Sequence, residues 1–163
     1  MERSELRQLM PFNSKDVERA ESFIKLEYPT IAPMIPEMIK GLGIYQSPVA
    51  KIYCQFFVEQ QDHLRRQIDS ALGKTKNFVI RHMLLTEVIS FWREENIRDI
   101  VRSLYAACGS IDDYFHTDLI ALNMLVTYKI STEQYRRSLI EQKEGLQQER
   151  IAMLADLRKA EYG

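Results

Sequence analysis

The stretch Ser47-Pro48-Val49-Ala50-Lys51-Ile52-Tyr53-Cys54-Gln55-Phe56-Phe57 decides the fold class. Ser47 is a good N-cap residue, and Pro48 suits the first helical position, where a missing N–H leaves nothing unsatisfied. Val49, Ile52, Tyr53, Phe56 and Phe57 then recur at i, i+3, i+4, i+7 and i+8, which is one apolar face of an α-helix. Past a turn near residues 60–62, Leu64, Ile68, Ala71 and Leu72 make a second such face, closed at Gly73. Two amphipathic helices joined by so short a turn form a hairpin.

Working toward the C-terminus, Thr75 is expected to cap a helix over 77–92. That helix is apolar nearly all round: Phe78, Val79, Ile80, Met83, Leu84, Leu85, Val88, Ile89 and Phe91. Such a pattern predicts a central helix covered by neighbours. Residues 93–96 turn the chain. Ile97, Ile100, Val101, Leu104, Tyr105 and Cys108 follow at helical spacing, and Gly109 stops them. Ile111-Asp112-Asp113 opens another apolar helix reaching about Lys129. Ser131-Thr132-Glu133-Gln134 reads as a capping box. Beyond it lies a long charged helix to about Glu161, with a thin stripe of Leu139, Leu146, Met153, Leu154 and Leu157.

Toward the N-terminus, Ser14 caps a stripe of Val17, Ala20, Phe23 and Ile24. Tyr28-Pro29-Thr30 breaks it, and a further helix over 31–42 ends at Gly41-Leu42-Gly43. Hairpins therefore begin near Ser14, Ser47, Thr75 and Ile111, a loose period in the range of helical solenoids. The expectation is an all-α fold of about eight helices in antiparallel hairpins, a HEAT-like right-handed stack with a long charged C-terminal helix. It is a single helical domain over 1–163, with a hairpin core at 12–130 and the charged helix at 131–163. Phe57, Leu85, Ile89 and Leu104 are expected in the core.

Composition agrees. Only 6 Gly and 5 Pro in 163 residues leave little turn material for an all-β fold. The 22 basic and 23 acidic residues give a net charge of −1, too little field to hold nucleic acid by counterion release. No run approaches the ~18 apolar residues of a membrane helix, and nothing behind Met1 resembles a signal peptide. The expected location is cytoplasmic, with Cys54 and Cys108 read as buried free thiols in a reducing compartment and a disulfide between them as the alternative.

The segment Asp16-Val17-Glu18-Arg19-Ala20, then Tyr28-Pro29-Thr30-Ile31-Ala32-Pro33 and Pro36-Glu37-Met38-Ile39, resembles the opening of the bacterial domain-of-unknown-function family 5071. Gln46-Ser47-Pro48-Val49-Ala50 stands where that family has Asn-Trp-Pro-Val-Ala. Thr117-Asp118-Leu119-Ile120-Ala121 is similar to its Val-Asp-x-x-Ala element. Lys74-Thr75-Lys76-Asn77-Phe78 replaces an Asp…Trp-Lys-Tyr element, without the acid or the Trp. The resemblance spans roughly residues 12–125. It implies a small HEAT-like helical protein, of the kind found among immunity members of toxin–immunity pairs.

No phosphate-binding glycine loop, nucleophile elbow or His-Glu-x-x-His is present. His63, His82 and His116 stand on separate helices or turns without partners at metal spacing. The acid pairs Glu94-Glu95 and Asp112-Asp113 read as helix-start residues. These patterns give no catalytic residue, no metal and no cofactor. The turns between hairpins collect on one edge, and loops on a rigid scaffold concentrate binding residues. Tyr45, Gln46, Lys76, Asn77, Asp112 and Asp113 are the candidate partner-binding residues. The expected activity is that of a non-catalytic protein-binding module, an immunity protein that blocks a cognate toxin or effector. The alternative is an adaptor that self-associates, as a homodimer, through its C-terminal helix. A nucleic-acid enzyme on such a scaffold needs a basic concave face, against which the near-neutral charge argues.

Overall fold

In a computed structural model, which describes residues 1–109, 115–144 and 148–163, with 148–150 as backbone alone, regular structure is entirely helical and no strand occurs among the described residues. Eleven uninterrupted helical runs are present there, more than the eight or so expected. The increase has two sources: a short N-terminal helix, and interruptions within runs that periodicity read as continuous.

The runs are α1 (Arg3–Leu9), α2 (Val17–Phe23), α3 (28–41), α4 (Pro48–Glu59), α5 (Gln61–Lys74), α6 (78–91), α7 (Glu94–Asp99), α8 (Val101–Cys108), α9 (Thr117–Thr127), α10 (Glu133–Glu144) and α11 (Gln148–Tyr162). Tyr28-Pro29-Thr30 does not break the chain as expected. It opens α3, because proline in a first turn lacks only an N–H that has no partner anyway. α3 tightens to 3-10 geometry at Ala32–Met34, around Pro33, before resuming at Ile35. The helix expected over 97–108 begins earlier, at Glu94, and is split at Ile100, whose φ of −102° and ψ of 23° are not helical. Both acids of the Glu94-Glu95 pair lie in the first turn of α7, where they favour the positive helix end.

Residues Met1–Trp92 form one compact unit organised around α4. The cap read from sequence is present: Ser47 Oγ accepts from the Ala50 N–H at 3.0 Å, with Pro48 at the first helical position. α4 packs against α2, the end of α3, α5 and the middle of α6. Phe57 and Leu85 are fully buried there together with Phe23, Met38, Leu64 and Ile68. The middle of α6, Leu84–Val88, is a π-helix. Its wider turn lets Leu84, Leu85, Val88 and Ile89 all face the core. The expectation of a helix covered all round is corrected at its ends. Phe78 is partly exposed and Phe91 is 66% exposed, while Trp92 turns inward and donates from Nε1 to the Phe57 carbonyl at 3.3 Å.

Residues Arg93–Gly163 form a second compact unit. α9 is central: it packs against α8, α10 and α11, and all but three of its residues are buried. Leu104 is fully buried on α8. Asp118, with no solvent exposure, pairs with Lys143 Nζ at 2.9 Å. The long C-terminal helix is instead two helices that pack on one another. Arg136 of α10 and Glu161 of α11 are hydrogen-bonded, as are no residues 25 apart on a straight helix, which would hold them ~37 Å apart. Leu139, Leu154 and Leu157 of the apolar stripe are buried, Met153 is exposed, and Leu146 lies outside the described residues. The cap falls one residue later than the capping box predicted, and as a single side-chain bond. Ser131 has a φ of 67°, and Thr132 Oγ1 instead accepts from the Tyr135 N–H at 3.3 Å.

Candidate protein-binding site

The turn between α3 and α4 and the turn between α5 and α6 meet in the first unit. A Cβ added to Gly43 would stand 3.2 Å from the Lys40 carbonyl oxygen, 3.5 Å from Asn77 Nδ2 and 3.7 Å from Ile80 Cγ1. The first turn therefore lies directly on the start of α6, at a separation that glycine meets without displacing its neighbours. Ile44 and Tyr45 are left outside, 56% and 46% exposed. The Tyr45 ring lies 5.6 Å from the His82 ring, and the Gln46 side-chain amide donates to the Tyr45 hydroxyl at 3.0 Å. Gln46 itself is held at a φ of 53°, a conformation that non-glycine residues seldom adopt.

Asn77 is the cap that Thr75 was expected to be. Its Oδ1 accepts from the Val79 and Ile80 N–H groups at 2.9 and 3.2 Å, and Thr75 Oγ1 accepts from the Asn77 N–H at 3.1 Å. Phe78 follows at the surface with the Arg81 guanidinium 5.4 Å from its ring centre, and Arg81 also donates to the Thr75 carbonyl at 2.7 Å. Phe78 and His82 are one helical turn apart on the same face. Ile44, Tyr45 and Phe78 thus belong to one apolar edge, fixed by caps and bordered by cationic Arg81 and exposed Lys76.

Of the sequence-derived site residues, the structure brings Tyr45, Gln46, Lys76 and Asn77 to this edge, with Asn77 serving mainly as a cap. Asp112 and Asp113 lie outside the described residues. Phe78 was counted on a helix covered by its neighbours, and Ile44 and Arg81 were not singled out. Only the adjacency of the two turns reveals them.

Two concavities flank the edge. A cavity of about 530 Å³ is lined by Gln46, Lys51, Cys54, Gln55, Val58, Met83, Glu87 and Phe91. Its floor holds the Cys54 thiol, whose pKa is pushed up to about 12 by burial, reinforced by the negative charge of Glu87. A thiol held protonated at neutral pH is a poor nucleophile. A second, open groove of about 490 Å³ runs between α3 and α5. The histidines have structural neighbours: the exposed His63 ring stacks on Tyr28 at 4.9 Å. Among the described residues no group of three or more His, Cys, Asp or Glu side chains could hold a metal ion, and no helix is long and apolar enough to cross a membrane. No protein-family model matches the chain, and no curated protein or solved structure matches it significantly.

Proposed function

We propose that this chain is a non-catalytic protein-binding module, and more narrowly a cytoplasmic immunity protein that covers the active site of a cognate bacterial toxin. The observation that carries the binding role is the edge of Ile44, Tyr45 and Phe78: large apolar side chains held at the surface by a fixed turn, an N-cap and a ring contact. Aromatic residues beside an arginine form the kind of patch in which binding hot spots concentrate. The high pKa of Cys54 supports the absence of nucleophilic chemistry in the neighbouring cavity. The resemblance to family 5071 and the HEAT-like hairpin stack belong to the same proposal and supply its narrower, immunity form.

The test is partner capture on the immobilised full chain, followed by calorimetry with the purified partner. Tyr45→Ala with Phe78→Ala is expected to weaken binding at least tenfold while the melting temperature stays within a few degrees. Unchanged affinity would remove this edge from the interface. The immunity form is tested separately, by co-expressing the chain with the product of a toxin-like neighbouring gene and measuring growth. The alternative, self-association through the C-terminal helix, has less apolar surface to use. Leu139, Ile140, Leu154 and Leu157 are buried, which leaves Ile151, Met153 and Tyr162 exposed on α11. Sedimentation of the wild type across a concentration series distinguishes the two.

A further inference from the structure

We infer that the groove between α3 and α5 is a docking site for an acidic amphipathic helix of the partner protein. This inference rests on the protein-binding reading above and names the chemistry of what binds. The floor is apolar, formed by Pro36 and Ile39 of α3, Ala71 of α5 and Ile80 of α6. The rim is cationic: Lys40 stands on one wall, Arg66 and Lys74 on the other, and no acidic residue lines the groove. All three are exposed, and among the described residues none of them holds an ion pair. In a chain of net charge −1, three unpaired cations around one apolar trough are a local departure from balance.

Spacing selects the occupant. Arg66, Ser70 and Lys74 lie at i, i+4 and i+8 on α5, so the two cations on that wall are ~12 Å apart, about two helical turns. A single carboxylate, such as that of a fatty acid, meets only one of these charges. A helix with leucine-like residues at i, i+3 or i+4 and i+7 matches the trough, and glutamates on its flanks match both walls. Ser70, Gln67 and Thr75 add uncharged hydrogen-bonding groups along the same length. The groove shares Ile80 with the contact to Gly43, and Thr75 with Arg81, so it is continuous with the Ile44–Tyr45–Phe78 edge and one partner can engage both.

The test uses the full chain and a fluorescein-labelled leucine–glutamate helical peptide of about four turns. Anisotropy should report saturable binding that weakens at least tenfold between low salt and ~0.5 M salt, as screening shortens the reach of the cations. The same peptide with lysine in place of glutamate should not bind. The triple variant Lys40→Gln, Arg66→Gln, Lys74→Gln should lose at least tenfold in affinity while keeping its melting curve. Ala71→Glu, which sets a carboxylate among the three cations, should do the same. Equal binding of the acidic and basic peptides, or an unaffected triple variant, would overturn the inference. So would saturable binding of dodecanoate with none of the acidic peptide, which would assign the groove to a small amphiphile. If the captured partner is lost by Tyr45→Ala with Phe78→Ala but binds the triple variant normally, the module reading stands and the groove inference fails.

Discussion

Arg136 and Glu161 close on each other inside the second unit, Nε to Oε2 at 2.9 Å and Nη2 to Oε1 at 3.1 Å, a bidentate pair that joins the start of α10 to the end of α11. Both side chains are nearly shielded from water. Arg136 also donates from Nη1 to the Ile130 carbonyl at 3.1 Å and to the Ser131 carbonyl, and Lys129 Nζ lies 3.4 Å from Glu161. The pair thus locks the turn at 129–131, where Lys129 and Ser131 both have positive φ.

Breaking this pair should be costly, because an isolated buried charge remains. Glu161→Ala is expected to destabilise by about 3 kcal/mol, the lower part of the range for such pairs, since Arg136 keeps two carbonyl acceptors. The pH dependence has a definite sign. Burial alone would raise the Glu161 pKa, but the hydrogen bonds and charge of Arg136, with Lys129, reverse this and hold it below the usual carboxylate range. A lowered folded-state pKa gives stability that is fully present above the unfolded value of about 4.3 and is lost as pH falls through the lower folded value. Denaturant midpoints of wild type and Glu161→Gln, measured from pH 6 to pH 3, should converge as the pH falls. Parallel curves would mean that the carboxylate does not contribute.

In the first unit, Leu85 sits in the π-helical stretch of α6 with no exposure. Leu85→Ala should cost ~2–5 kcal/mol, depending on how far the site can collapse. The wide π turn restricts that collapse, because Leu84 and Val88 already fill their own positions on the same face. A reversible denaturant titration measures it, and a loss below ~1 kcal/mol would show that α4, which packs on this stretch, closes over the vacancy.

What was legible in the sequence was local. The Ser47–Pro48 start of α4 follows from the chemistry of two adjacent residues, and Phe57, Leu85, Ile89 and Leu104 are buried as their periodicity predicts. The split at Ile100 was invisible because the side chains on both sides keep the same stripe while one backbone angle leaves the helix. The pairing of α10 with α11 was missed because charged residues read as solvated when their partner is 25 positions away. The groove was missed for the same reason. Pro36, Ile39 and Lys40 say nothing about Arg66 and Lys74 until tertiary packing sets the two helices side by side. Of the six candidate residues, the four on adjoining turns could be placed because turns at one end of packed helices gather by topology alone.

Asn77 separates a cap from a contact. Its side chain satisfies two otherwise unpaired N–H groups at the start of α6. Asn77→Ala should therefore lower stability by about 1 kcal/mol, and Asn77→Asp should restore it, because aspartate caps equally well and favours the positive helix end. Partner affinity should change less for Asn77→Asp than for Tyr45→Ala. Thermal melting and calorimetry on the same three variants check both statements. A large affinity loss in Asn77→Asp at unchanged melting temperature would make the Asn77 amide a direct contact.

The two thiols give a prediction at the alkaline end. Cys54 and Cys108 are free and buried, one in each unit, and burial pushes each pKa from the ordinary thiol range up to about 12. For Cys54 the charge of Glu87 adds to the effect of burial; for Cys108 the opposed charges of Lys143 and Asp118 partly cancel. In the unfolded chain both thiols ionise near pH 8.5. A raised folded-state pKa gives stability that is fully present below the unfolded value and is lost as pH climbs through the folded one. Stability should accordingly fall between about pH 9 and pH 12, and the buried Tyr53 phenol, also raised to about 12, adds to the fall above its unfolded value of about 10. Cys54→Ala should flatten part of that slope without removing it. At pH 8 the folded protein should react with a thiol-specific chromogenic disulfide only as fast as it opens, and both thiols should react at once in concentrated guanidinium. Immediate labelling of the native protein at pH 8 would mean that one thiol reaches water and ionises there, and the chemically inert floor assigned to the cavity beside Gln46 would have to be withdrawn.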